Sequence, residues 1–262
     1  AKRFSPAVIG KGVGENFIAS DVSAILEYTR DVHILEDGDV AEITPNSIKI
    51  ERNGAVLNEA PTRITWDPLS AQKGGYKHFM LKEIHEQPQA VTDTVRGRTN
   101  AASEDLALAD INLSDKEISE IKRIVIVACG TAWHASLVIK YYLEELAQIP
   151  VEVDYASEFR YRPVTIDSSV LFIAVSQSGE TADTLGALTL AKESGAKTFS
   201  ICNVVGSSIA RKVDNVLYTQ AGPEISVAST KAFVTQLTAG LVFSLYLGLR
   251  RGKVDSETQK KV

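Results

Sequence analysis

Five short apolar segments in the second half of the chain constrain its fold more than any other feature. Each is followed by a segment whose pattern predicts a helix or a short turn. Continuous apolar strands that alternate with helices are typical of a parallel sheet covered on both faces. The sequence therefore predicts a three-layer αβα domain with a parallel sheet. The five segments are RIVIVACG (123–130), VEVDYA (151–156), VLFIAVS (170–176), KTFSICN (197–203) and NVLYTQAG (215–222).

The first 75 residues have a different pattern. Their segments are short and rich in β-branched residues, and the turn sequence RNGA (52–55) contains Asn-Gly, the strongest short signal for a β-hairpin. The segment 20–29 has helical spacing, with Ser20 or Asp21 as its cap. We predict antiparallel β structure with little helix for residues 1–75.

Residues 76–118 connect these two halves. Residues 76–98 have helical spacing, and Pro88 is expected to end or kink the helix at Gln87. Residues 99–118 are small, polar and acidic, which is typical of a linker, so we place the main domain boundary there. The resulting division is 1–75, 76–118 and 119–262.

Composition excludes several classes of function. The net charge is −5 and no block of Lys and Arg stands out, which argues against a nucleic-acid partner. The longest apolar helical segment (237–249) is short and contains glycine, so we predict a core helix and no association with a membrane. Two cysteines, Cys129 and Cys202, stand in strand-like segments far apart, which favours a reducing, cytoplasmic location.

The segment SQSGETADT (176–184) follows the apolar strand 170–176 and opens a helix. A helix N-terminus attracts anions, and Ser176, Ser178 and Thr181 would add hydroxyl donors around the tight turn at Gly179. The alternative is simple capping, with Ser178 as the N-cap. The turn contains no Lys or Arg and has Glu180 where a triphosphate-binding loop would have lysine, so it suits a single phosphate on a small molecule.

Two further turns repeat this arrangement. CGTAWH (129–134) has a glycine and a threonine after the first strand, and PEISVASTKAF (223–233) has three hydroxyl residues before the last helix. Because carboxyl ends of parallel strands share one edge of a sheet, we predict that the three turns converge on one ligand. Lys231 could approach its phosphate, although a structural role is the simpler expectation. No motif indicates a cofactor, and no ligand set indicates a metal.

Several longer motifs resemble the glutamine–fructose-6-phosphate aminotransferase family. The motifs ACGTAWHAS, SEFRYR, SQSGETADTL, ICNVVGSSIAR and EISVASTKAF resemble its first sugar-isomerase (SIS) domain. GENFIASD (14–21) and HFMLKEIHEQP (78–88) resemble the end of its N-terminal-nucleophile glutaminase domain and the stretch that follows. The resemblance covers nearly the whole chain. It implies a β-rich remnant of the glutaminase domain, a helical linker and a first SIS domain with a flavodoxin-like αβα fold, in the three ranges given above.

The resemblance also implies roles for individual residues. The family converts fructose 6-phosphate and glutamine to glucosamine 6-phosphate and glutamate, and is expected to form a homodimer through its SIS domains. Ala132 stands where the family commonly has serine, which removes one expected hydroxyl contact. The residues implied to bind the sugar phosphate are Thr131, Ala132, Ser176, Gln177, Ser178, Thr181 and Val227.

The catalytic residues implied by the family have no counterpart in this chain. Its glutaminase nucleophile is an N-terminal cysteine and its ring-opening residues belong to a second SIS domain, neither of which this sequence contains. Asp21 matches the aspartate that binds glutamine, and would do so only with the rest of that domain. We therefore expect an inactive fragment that binds sugar phosphate. The alternative is a non-catalytic sugar-phosphate-binding SIS module.

Overall fold

The computed structural model of this chain describes residues 1–3, 6–64, 73–100, 105, 106, 108 and 111–261. The chain divides into two compact units, Ala1–Lys77 and His78–Val262. The two units are defined by the contacts within each of them. The division into a glutaminase remnant, a linker and an SIS domain, which follows from the family resemblance, stays a prediction.

The first unit is built from antiparallel strands, in agreement with its short β-branched segments. Within the described residues, one sheet has the order β2-β1-β3-β7 and the other the order β4-β5-β6. Asn53 and Gly54, both with positive φ, form the two-residue turn between β5 and β6, as the Asn-Gly signal predicts. The strands are β1 (Val8–Lys11), β2 (Asn16–Ala19), β3 (Asp31–Ile34), β4 (Val40–Thr44), β5 (Ser47–Arg52), β6 (Ala55–Leu57) and β7 (Thr62–Arg63).

The helix expected over residues 20–29 is wrong. The structure has only a 3-10 turn at Val22–Ala24, followed by turn residues up to Tyr28. Ile25 and Leu26 are buried while the residues on either side of them are not. Because only these two residues of the segment are buried, their burial does not offset the unfavourable free energy of helix nucleation, and the segment forms a turn.

The second unit contains the parallel sheet that the apolar segments predict. Its five described strands have the order β11-β10-β12-β13-β14 and pair in parallel throughout. This is the flavodoxin-like order, in which the strand order reverses between β10 and β12 while all strands run in the same direction. The strands are β10 (Arg123–Ala128), β11 (Val151–Tyr155), β12 (Val170–Ser176), β13 (Lys197–Cys202) and β14 (Asn215–Tyr218); the short pair β8 (Thr99–Asn100) and β9 (Asp105–Leu106) precedes them.

Helices cover both faces of this sheet. Successive residues of β10 pack into different clusters, Ile124 and Ile126 on one face and Val125 and Val127 on the other. This alternation explains why the strand is apolar without interruption. The described helices are α1 (Phe79–Val95), α2 (Asp115–Glu120), α3 (Gly130–Tyr142), α4 (Ala156–Phe159), α5 (Ala182–Glu193), α6 (Ser208–Lys212), α7 (Lys231–Arg250) and α8 (Ser256–Lys261); a π-helical turn at Leu143–Ala147 extends α3.

Helix α1 continues through Pro88, so the proline does not end it at Gln87. Pro88 is exposed, and so is Ile84, whose carbonyl loses its usual amide donor to the proline. Water can hydrate a carbonyl on the exposed side of a helix, which removes much of the penalty for proline there.

The segment expected to be a polar linker contributes to the core of the second unit. Leu108, Ile111 and Leu113 are buried in the same cluster as the sheet residues. Ser114 then caps α2 through a capping box with Glu117. The polar composition of residues 99–118 predicts a linker, although these three apolar residues are buried in the core.

Helix α7 is long and apolar enough to cross a membrane by length and composition. About two-thirds of it is buried inside the unit, where it packs with α3 on one face of the sheet. This burial is typical of a core helix.

Candidate functional site

The three hydroxyl-rich turns line one cavity of about 220 Å³ at the carboxyl edge of the sheet. Two of them follow β10 and β12, the strands between which the chain order reverses, where open α/β sheets bind their ligands. Every residue that the family resemblance assigns to the sugar phosphate is present in the lining. The lining residues are Cys129, Thr131, Ala132, Val175, Ser176, Gln177, Ser178, Thr181, Glu224, Ser226, Val227, Ser229 and Gln236.

The turn after β12 is tied together by its own hydroxyl groups. Ser176 Oγ accepts a hydrogen bond from the Gly179 amide (3.0 Å), and Ser178 Oγ accepts one from the Glu180 amide (3.2 Å). Thr181 Oγ1 lies 3.5 Å from Ser176 Oγ. These bonds close the turn around the cavity and keep the hydroxyl groups side by side.

The N-terminus of α5 is not capped by a serine. Thr181 is the N-cap residue, and its side chain accepts no bond from the helix. The alternative in which Ser178 caps the helix is therefore wrong. The N-cap of α3, Cys129, also makes no side-chain bond to its helix. The first turns of both helices thus keep their electropositive ends available at the cavity.

Gly179 is required by packing as well as by backbone conformation. Its φ of +67° lies in the left-handed region, and an added Cβ would stand 2.0 Å from Ser207 Oγ. The sequence predicts a tight turn around a ligand at this glycine. The structure adds that the turn presses against Ser207, at the start of α6, on its other side.

Glu180 is directed to a neighbouring helix. Its Oε1 accepts a hydrogen bond from the Ser208 amide in the first turn of α6 (2.7 Å). Among the described lining residues there is no Lys, Arg or His, and Glu180 does not line the cavity. The site therefore offers amide and hydroxyl donors, without a cationic side chain.

The third turn differs from the sequence prediction in its use of the helix N-terminus. The Glu224 carboxylate accepts bonds from the Thr230 and Ala232 amides (2.8 and 3.1 Å) and from Ser229 Oγ (2.9 Å). An internal carboxylate thus occupies the end of α7 that we expected to attract a ligand. The turn still contributes Ser226, Ser229 and the fully exposed Val227 to the lining.

Lys231 has the structural role that was the simpler expectation. It is 4% exposed and its Nζ lies 2.7 Å from Glu86 Oε2 on α1. Next to this pair, the buried Glu83 accepts bonds from the Ile225 and Ser226 amides (2.7 and 3.2 Å). Helix α1 therefore holds the third turn in place.

Sequence reasoning missed Glu83, Glu224 and Gln236. Gln236 shares the buried stripe of α7 with Ala232, Ala239 and Phe243. A polar residue at that spacing on an apolar stripe is a signal that could have identified it. No comparable signal exists for Glu83, which accepts its hydrogen bond from an amide 142 residues away along the chain.

Asp21 lies in the first unit, exposed and directly before the 3-10 turn. Its proposed contact with glutamine remains a prediction. Of the two cysteines, both free, Cys202 is buried and Cys129 is half-buried; burial raises the pKa of the Cys202 thiol. His134 Nδ1 is 3.1 Å from the Gly130 carbonyl oxygen, to which the imidazole can donate.

Comparison with known families agrees with this geometry. Residues 117–246 match the family model described as the SIS domain. This part of the chain belongs to the SIS domain family. The match spans β10 to β14 and most of α7, and thus all three turns of the site. The predicted fold class is confirmed.

Individual relatives extend the similarity to nearly the whole chain. The glutamine–fructose-6-phosphate aminotransferase (isomerizing) of Caldanaerobacter subterraneus subsp. tengcongensis is 51% identical over 257 residues, which are 98% of this chain and 42% of that protein. The enzyme of the same name from Methanosarcina mazei is 46% identical over 99% of this chain and 42% of its own length. The resemblance inferred from the motifs is confirmed, and the chain spans about two-fifths of these relatives.

Solved structures show the same SIS architecture. The C-terminal domain of glucosamine-fructose-6-phosphate aminotransferase from Francisella tularensis matches 72% of this chain and 53% of its own, with a TM-score of 0.68 and 42% identity. Glucosamine-6-phosphate deaminase from Thermotoga maritima matches 70% of this chain and 52% of its own, with a TM-score of 0.55 and 20% identity. The second similarity concerns the fold alone.

Proposed function

We propose that this chain is the sugar-phosphate-binding portion of a glutamine–fructose-6-phosphate aminotransferase. Its ligands would be fructose 6-phosphate and glucosamine 6-phosphate, and the reaction of the complete enzyme is the conversion of the first to the second with glutamine as nitrogen donor. The observation that carries the proposal is one cavity lined by all seven residues carried over from the family motifs.

The chemistry of the cavity supports a phosphate monoester. The electropositive ends of α3 and α5 meet the hydroxyl groups of Thr131, Ser176 and Ser178 there. Three to five hydrogen bonds to a charged group contribute about 1.5–3 kcal/mol each. Immobilising the ligand opposes this by at least about 4 kcal/mol, which leaves dissociation constants of order micromolar to millimolar.

Thermal unfolding with matched ligands tests the proposal. Fructose 6-phosphate and glucosamine 6-phosphate should raise the Tm of the 262-residue chain, because each binds only the folded state. Fructose and glucosamine at the same concentrations should leave it unchanged. Equal shifts with the phosphorylated and the free sugars would reject the phosphate assignment.

The proposal includes the absence of catalysis by this chain alone. The Ser229 hydroxyl group at the cavity is paired with the Glu224 carboxylate, but that carboxylate is already held by the Thr230 and Ala232 amides. The glutaminase cysteine implied by the family is not in the sequence. Release of ammonia from glutamine by this chain, measured against a buffer blank, would show that a catalytic group has been overlooked.

A homodimer in the cytoplasm completes the proposal. The second unit exposes the rings of Tyr141, Tyr155 and Tyr161, and aromatic residues are enriched at protein interfaces. Sedimentation equilibrium should give twice the chain mass, and Tyr161→Asp should shift the distribution toward the monomer. A mass equal to that of one chain at every protein concentration measured would contradict the dimer.

A further inference from the structure

Gln236 is a buried residue of the described cavity lining whose amide oxygen has no hydrogen-bond partner. It lies in the second turn of α7, is 3% exposed and belongs to the lining. Its Oε1 is buried and has no hydrogen-bond partner within the described part of the chain. Native structures seldom leave such an atom unpaired, because burying an acceptor without a donor is unfavourable.

Other polar side chains of the same helix are satisfied internally. The hydroxyl groups of Thr235, Thr238 and Ser244 donate to the backbone carbonyls of Ala232, Val234 and Gly240, at 2.7–3.0 Å. A glutamine at 236 therefore does not follow from a general need for polar groups in α7. Gln236, whose amide oxygen is unpaired, is one of the residues that line the cavity.

The chemistry of Oε1 identifies the kind of group that would bind it. An amide oxygen only accepts hydrogen bonds, and the oxygens of a phosphate dianion also only accept. A ligand hydroxyl can donate to it. The phosphate donors lie on the turn 176–181 and the first turn of α3, so Gln236 on the third element is free to meet the other part of the ligand.

We propose that the Gln236 side chain turns toward the cavity when ligand binds, and that its Oε1 then accepts a hydrogen bond from a hydroxyl group of the bound sugar phosphate. Gln236 would thereby favour polyhydroxylated phosphate esters over inorganic phosphate and over esters without hydroxyl groups. This inference rests on the proposed function, because it assumes that the cavity binds a phosphorylated sugar.

The test compares Gln236→Leu and Gln236→Met with wild type, using calorimetry with fructose 6-phosphate and with inorganic phosphate. Both variants should bind fructose 6-phosphate about tenfold more weakly, the effect of losing one hydrogen bond, and bind inorganic phosphate as wild type does. The matched control is Gln89→Leu, which removes an exposed glutamine amide on α1 outside the cavity.

Stability without ligand gives a second readout that a structural role would not produce. Removing an unpaired buried acceptor should raise the Tm of the ligand-free variants by about 2–4 °C. Variants that are less stable than wild type, or that fail to fold, would show that the amide supports the fold and would overturn the proposal.

The remaining outcomes separate this inference from the proposed function. Unchanged affinity for fructose 6-phosphate in both variants overturns the role of Gln236 and leaves the proposed function intact. An equal loss of affinity for fructose 6-phosphate and for inorganic phosphate would make Gln236 a phosphate contact, which also overturns the proposed contact with a sugar hydroxyl group. Wild-type protein that binds neither ligand refutes the proposed function itself.

Discussion

At the scale of single residues, Thr181 gives a direct test of ligand binding. Its hydroxyl group does not cap α5, so Thr181→Ala should leave the helix nearly as stable while weakening fructose 6-phosphate binding by about 1–3 kcal/mol. Titration calorimetry measures the change. Thr189→Ala is the control, since Thr189 lies on the same helix, is exposed and donates to the Leu185 carbonyl. Similar affinities of the two variants for fructose 6-phosphate would show that Thr181 does not bind the ligand.

Gly179 allows a prediction about stability at the same turn. Gly195 has a similar positive φ with open space around its missing Cβ, whereas a Cβ on Gly179 would collide with Ser207. Gly195→Ala should therefore lower the free energy of unfolding by about 1 kcal/mol through backbone strain alone. Gly179→Ala should lower it by about 1–3 kcal/mol more because of overpacking. Urea unfolding that shows equal losses would contradict this packing.

The residues of the site differ in how far the sequence could predict them. Ser176, Ser178 and Thr181 stand directly after a recognisable strand, so local pattern was enough to place them. Glu224 and Glu83 act through backbone amides that no side-chain pattern reveals. The sequence therefore predicts correctly that the third turn lies at the cavity. It wrongly predicts that the N-terminus of α7 attracts a ligand, because the Glu224 carboxylate occupies that position.

At the scale of elements, the ion pair between Glu117 and Lys197 joins α2 to β13 (2.9 Å). Hydrogen bonds from Lys197 and Ser114 lower the pKa of Glu117 from its ordinary value of 4.5 to about 2. Ionised Glu117 therefore stabilises the fold above about pH 4.5, and this contribution is lost as the pH falls from there towards 2. Its size is reduced by solvent screening, because the Glu117 side chain is 37% exposed.

Glu117→Gln should lower the free energy of unfolding at pH 7, and the difference from wild type should shrink as the pH falls below 4.5. Urea unfolding at pH 7 and pH 3 measures both. Glu257→Gln is the control, since the ion pair of Glu257 with Lys261 is exposed on both sides. A difference of the same size at both pH values would exclude ionised Glu117 as the source.

The elements themselves were predicted where burial dominates their sequence. The strands of the parallel sheet are buried on both faces, so their apolar runs identify them without knowledge of the fold. The 3-10 turn at Val22–Ala24 and the helix through Pro88 depend on local exposure and packing, which the sequence does not display. The same holds for Ile111, an apolar anchor inside a polar segment.

At the scale of the whole molecule, ligand binding should affect the two units differently. The described cavity belongs entirely to the second unit. Fructose 6-phosphate should therefore slow hydrogen exchange at residues 129–134, 176–184 and 224–230, because these turns open less often when the ligand is bound. Residues 8–64 should exchange at the same rate with and without it. Mass spectrometry of peptic fragments reads both, and uniform slowing across the chain would reject a local site.

The carboxylate of Glu224 places a negative charge at the N-terminus of α7, next to the cavity proposed to bind an anionic ligand. A monoester can turn its neutral carbons and hydroxyls toward that side. A molecule phosphorylated at both ends would have to bring its second phosphate toward the acid, with no lysine or arginine in the described lining to offset the repulsion. Because of this carboxylate, the cavity should bind sugars with one phosphate group more tightly than sugars with a phosphate group at each end.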